Sequence, residues 1–117
     1  MASPQRILIV EDEPLIAMML EDFLEMLDRE LAGSADTVAA ALDLIAAGGI
    51  DAAILDVNLR AGEQSWPIAD KLAELGIPFV LATGGSGDSV AEQHRDRPVL
   101  GKPFTMDAVE KALDALG

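Results

Sequence analysis

The chain has 117 residues, a mass of 12.3 kDa and a formal net charge of -13 from 21 acidic and 8 basic residues. So few cations exclude unaided binding to nucleic acid, which needs clustered Lys and Arg to displace counterions. The absence of cysteine excludes disulfides and thiolate metal sites. No apolar run approaches the roughly 20 residues that span a bilayer, and Met1 to Arg6 lacks a secretory leader pattern, so the expectation is a cytoplasmic protein with no membrane contact.

Strand and helix signals alternate along the whole chain. Ile7 to Val10 reads as a strand that runs into Glu11-Asp12-Glu13. Pro14 sits where a first helical turn begins, since its missing N–H is not needed there. Leu15, Met19, Phe23 and Leu27 recur every four residues and predict the helix's apolar side. Leu31 to Ala35 occupies the next strand slot with few β-branched residues. Val38, Leu42 and Ile45 predict a second helix, stopped by Gly48-Gly49.

Ala52 to Leu55 is apolar at every position, as expected of a central strand covered on both faces, and it ends at Asp56. Ile68, Leu72 and Leu75 predict a third helix with Pro67 at its start. Phe79 to Ala82 reads as a fourth strand ending in Thr83-Gly84, and Val99 to Gly101 as a fifth ending in Lys102-Pro103. A short helix is expected between them, within Asp88 to His94. Met106, Val109, Leu113 and Leu116 predict the last helix, with Thr105 as its N-cap. Repeated β-α units with short connections imply right-handed crossovers and a parallel sheet. The fold expected is α/β: a doubly wound, flavodoxin-like, five-stranded parallel sheet in the order 2-1-3-4-5, with helices on both faces.

In such a sheet the carboxyl ends of all strands point to one edge, where ligands bind. The polar strand endings Glu11-Asp12, Asp56, Thr83-Gly84 and Lys102 would therefore converge. Acidic residues at a helix N-terminus are also favoured by the macrodipole alone, each by about 0.3 to 1 kcal/mol, and Asp commonly ends a strand as a turn former. Consecutive acids facing Asp56 ask for more, because adjacent carboxylates repel unless a cation joins them. Oxygen ligands without His or Cys point to Mg²⁺. Beside a metal, the Asp56 carboxylate can attack a phosphoryl group and form an aspartyl phosphate. Lys102 suits the phosphate as a point charge, and the glycines after Thr83 leave backbone N–H groups open to an anion. Thr83 to Gly87 matches neither the Walker A pattern nor the dinucleotide fingerprint.

Glu11-Asp12, Asp56, Thr83 and Lys102-Pro103-Phe104, at these separations, resemble the receiver domain of bacterial two-component response regulators. The resemblance covers residues 1–117, as a single receiver domain with no output domain. It implies that Asp56 accepts a phosphoryl group from a histidine kinase or phosphotransfer protein, and that Mg²⁺ is held by Glu11, Asp12, Asp56 and the backbone carbonyl of Asn58. It further implies that Thr83 and Gly84 bind phosphoryl oxygens, that Lys102 pairs with the phosphate, and that the output passes to a separate downstream protein. The family's usual aromatic residue three positions before the lysine is Val99 here. The stretch Pro78 to Gly84 resembles a subset of stand-alone receivers that likewise lack that ring. His94, beside Arg95 and Arg97, reads as a solvated side chain rather than a relay histidine, and Trp66 as packing or partner surface. The competing reading is a small-molecule phosphohydrolase or phosphotransferase with an aspartyl-phosphate intermediate. Asn58 stands where the haloacid dehalogenase-like class places a second Asp, which weighs against it.

Overall fold

A computed structural model describes residues 6–57, 65–83, 99–101 and 105–116. The strands are β1 (Arg6–Val10), β2 (Glu30–Ala35), β3 (Ala52–Asp56), β4 (Phe79–Thr83) and β5 (Val99–Gly101). They form one parallel sheet in the order β2-β1-β3-β4-β5. The helices among the described residues are α1 (Pro14–Met26), α2 (Val38–Ala47), α3 (Trp66–Glu74) and α4 (Met106–Leu116). The helix expected within Asp88 to His94 lies outside the described residues. No described helix is long and apolar enough to cross a membrane.

Alternation along the strands divides the core into two layers. Leu8, Val10, Leu55 and Leu81 face Ala41 and Ile45 of α2 and Ile68 and Leu72 of α3. Ile7, Ile9, Ile54 and Val80 face Leu20 and Leu24 of α1 and Val109 and Leu113 of α4. Every residue of β3 is buried, which explains its unbroken apolar sequence up to Asp56. The edge strand β2 carries an irregularity: Ile7 pairs with Leu31 and Leu8 with Gly33, so Ala32 is an extra residue in the ladder. Thr37 and Thr105 both cap helices, each hydroxyl oxygen accepting a backbone N–H at 3.1 Å, from Ala40 and Ala108.

The apolar side of α1 differs from expectation. Its buried residues are Ala17, Leu20 and Leu24, while Leu15 is 79% exposed. A helix turns about 100° per residue, so strict four-residue spacing drifts about 40° at each step. The row from Leu15 to Leu27 therefore wanders from solvent towards the sheet, and a second apolar row carries the core contact.

α1 ends in a Schellman turn, with Asp28 N–H donating to Glu25 O at 3.2 Å and Arg29 N–H to Leu24 O at 2.8 Å. Asp28 occupies the left-handed position with φ of 60°. Glycine suits that conformation, and an acid at a helix C-terminus also opposes the macrodipole. Asp28→Gly should raise the unfolding free energy by about 1 kcal/mol. A higher urea midpoint with unchanged slope is the expected result, and a lower midpoint would contradict it. The next residue, Arg29, bonds Asp114 of α4 at 2.8 Å and so ties the last helix to this turn.

Candidate functional site

The site is built where β1 and β3 lie side by side and the strand order reverses. Val10 pairs with Leu55, so the residues that follow, Glu11 and Asp56, come side by side at the carboxyl edge of the sheet. Glu11 N–H donates to Ala35 O at 3.0 Å and continues the β1–β2 ladder one step past the strand. This holds Glu11 at 3% exposure, although it lies outside regular structure. Its Oε2 accepts the Glu13 N–H at 3.3 Å, closing a tight turn into α1. Glu13 itself is exposed and makes no side-chain capping bond. The acid triplet is thus split: two carboxylates face inward and the third faces solvent.

Asp56 is the last residue of β3, opposite Ala82 of β4, and is 4% exposed. Val57 N–H donates to Ala82 O at 3.0 Å and keeps the chain in register one residue further. The Val57 carbonyl then accepts both the Ser65 N–H at 3.1 Å and the Ser65 hydroxyl at 3.4 Å. Buried Ser65 therefore clamps the two ends of the segment that follows Asp56, immediately before α3 begins.

Glu11, Asp12 and Asp56 each offer a carboxylate oxygen, and the three oxygens lie within 4.8 Å of one another. Ionised carboxylates this close oppose one another by roughly a few kcal/mol per pair. Oxygen-only donors at this spacing fit a hard divalent cation such as Mg²⁺, which takes one or two carboxylates and retains waters. A cleft of about 320 Å³ opens beside the carboxylates, lined by Glu11, Asp12, Pro14, Ser34 and Asp36 among others.

Ser34 and Asp36 had no place among the sequence-predicted residues. β2 ends at the same sheet edge, but its weak strand pattern leaves that polar terminus without a clear marker in the sequence. Ser65 carried no comparable signal, because its role depends on meeting a carbonyl eight residues earlier.

Of the remaining predicted residues, Thr83 ends β4 and pairs through its backbone with Gly101, the last residue of β5. The register places Asp56 beside Ala82, and Thr83 beside the residue that precedes Lys102. Asn58, Gly84, Lys102 and the Thr83 side chain lie outside the described residues.

No protein-family model matches the chain. Its sequence is 68% identical to SdrG from Sphingomonas melonis Fr1, whose solution structure superposes with a TM-score of 0.89 over 99% of this chain and 98% of that one. The BeF3-activated conformation of SdrG superposes with a TM-score of 0.84. The Erythrobacter litoralis PhyR response regulator REC domain is 27% identical, with a TM-score of 0.79 over 97% of this chain and 90% of that one. The transcriptional regulatory protein PdtaR of Mycobacterium tuberculosis is 28% identical over 116 residues. The chain spans 57% of the length of that curated relative.

Proposed function

The chain belongs to the receiver-domain family of response regulators, and from that premise we propose that it is a phosphoacceptor whose Asp56 takes a phosphoryl group from a histidine kinase or phosphotransfer protein and passes the signal to a partner protein. The observation that carries this reading is the meeting of Glu11, Asp12 and Asp56 within 4.8 Å at the sheet's switch point.

The residues divide the work. An Asp56 carboxylate oxygen attacks phosphorus in line with the bond to the donor. The new P–O bond forms as the donor P–N bond of a phosphohistidine breaks, and the imidazole leaves with the electron pair. β3 is packed on both faces, so the nucleophile is fixed in place and little entropy is lost in aligning it. Glu11, Asp12, Asp56 and the Asn58 carbonyl would hold Mg²⁺. When bound, the ion supplies neutralisation of the charge gathered between carboxylates and phosphoryl oxygens. The Thr83 hydroxyl and Gly84 N–H would donate to phosphoryl oxygens, and Lys102 would pair with them.

The test is incubation with acetyl phosphate and Mg²⁺, followed by intact-mass analysis and an assay with p-nitrophenyl phosphate. One phosphoryl group per chain and no ester turnover is the expected result. Sustained turnover of the ester would favour the phosphohydrolase reading, and absence of any label would overturn the phosphoacceptor reading.

A further inference from the structure

Ser65 departs from the usual behaviour of a serine at the start of a helix. A serine there ordinarily turns its hydroxyl to accept an N–H of the first turn. Ser65 directly precedes α3 and makes no such bond. The helix does not need one. Pro67 has no N–H to offer, and the Ile68 and Ala69 N–H groups donate to the Ser65 main-chain carbonyl at 2.9 and 3.0 Å. Ser65 is instead fully buried, and its hydroxyl turns back to the Val57 carbonyl, beside its own N–H on the same oxygen.

That carbonyl lies on the path from Asp56 to Asn58, which Val57 links. The bond from Val57 N–H to Ala82 O anchors the chain to β4 as far as the Val57 nitrogen. Beyond it, among the described residues, Ser65 supplies both donors to the Val57 oxygen. A carbonyl has two lone pairs, and filling both leaves its peptide plane less free to swing than one bond would. The unit is planar, so anchoring the Val57 oxygen also sets the direction of the Asn58 N–H and the place of its Cα. A main-chain carbonyl offered to a metal has no side-chain rotamer to adjust, so its aim comes from the backbone alone. Groups that hold a ligand from behind count nearly as much as the ligand itself. At 3.4 Å the hydroxyl bond is the longer of the two, and its loss should loosen the plane while the N–H bond at 3.1 Å keeps the fold.

We propose that Ser65 is a positioning residue for the metal and phosphoryl site, its hydroxyl holding the Val57 carbonyl and thereby fixing the path from Asp56 to Asn58. The role rests on the phosphoacceptor reading of Asp56 and on the Mg²⁺ ligands assigned with it.

The test titrates Mg²⁺ alone into the isotope-labelled full chain and follows the amide shifts of Glu11, Asp12 and Asp56 in wild type, Ser65→Ala and Ile45→Val. Alanine removes the hydroxyl and keeps the N–H. Ile45→Val trims a buried side chain in the last turn of α2, outside the carboxylate cluster and the Ser65 clamp, and controls for lost stability. The three chains are compared well below their melting transitions. Ser65→Ala should weaken Mg²⁺ binding at least about tenfold, about 1.4 kcal/mol, and slow labelling by acetyl phosphate at subsaturating Mg²⁺ to a similar extent. Ile45→Val should stay within about twofold of wild type in both measurements. Equal Mg²⁺ affinity in Ser65→Ala and wild type, or an equal loss in Ile45→Val, would overturn the positioning role and leave the phosphoacceptor reading standing. A Ser65→Ala chain that does not fold would make the hydroxyl a structural anchor and would overturn the role as well. A wild-type chain with neither Mg²⁺-dependent shifts nor label would instead overturn the phosphoacceptor reading, and the role with it.

Discussion

Asp56→Asn should abolish labelling by acetyl phosphate under conditions in which the wild-type chain takes up one phosphoryl group. The substitution keeps the size and shape of a side chain that is 4% exposed at the end of a fully buried strand. The fold should therefore survive, and the loss would report chemistry. An amide is a poor nucleophile at phosphorus because its nitrogen lone pair is delocalised into the carbonyl and its oxygen carries no full negative charge, whereas a carboxylate attacks directly and forms an acyl phosphate. The label on the wild-type chain should be released by hydroxylamine, which cleaves acyl phosphates and spares phosphoesters. Asp36→Asn provides the matched control, since Asp36 lines the neighbouring cleft but is absent from the carboxylate cluster. Its labelling should remain within about twofold of wild type, a difference of only about 0.4 kcal/mol. Persistent label in the Asp56 variant, or label that resists hydroxylamine, would remove Asp56 from its assigned role.

The features legible in the sequence were those set by a short period and a fixed direction. The apolar runs Ile7 to Val10 and Ala52 to Leu55 mark strands, and parallel strands all end at one edge. Glu11, Asp12 and Asp56 could therefore be brought together before any distance was known. Glu13 could not be separated from its neighbours in the same way. Its outward position depends on the turn closed by the Glu11 carboxylate and its own N–H, a local hydrogen bond with no sequence period. The inner face of α1 was hidden for another reason. With apolar residues at Leu15, Ile16, Ala17, Met18, Met19 and Leu20, the helix offers more than one row, and only packing against Ile7, Ile9 and Ile54 selects Leu20 and Leu24. The extra residue Ala32 is likewise a property of pairing between strands, which composition cannot reveal.

Millimolar Mg²⁺ should raise the melting temperature, and Asp12→Asn should both remove that response and stabilise the metal-free protein. The sheet register and the Glu11–Ala35 and Glu11–Glu13 bonds hold three carboxylates within 4.8 Å whether or not a cation is present. Folding therefore has to overcome their mutual repulsion, which the extended chain avoids by separating them. A cation that binds only the folded arrangement stabilises it by mass action. At ten times its dissociation constant the gain is about 1.4 kcal/mol, or about 5 °C for a domain of this size. Asp12 is the most solvent-accessible of the three acids, so replacing it removes one charge with little disturbance of packing. The variant should gain about 1 kcal/mol without metal and respond to Mg²⁺ no more than to a monovalent salt of equal ionic strength. That salt control matters because screening alone would relieve part of the repulsion between acids. A wild-type melting curve that moves equally in the two salts would show that the cluster binds no divalent ion. A variant less stable than wild type without metal would show that Asp12 is already compensated by a neighbour within the fold.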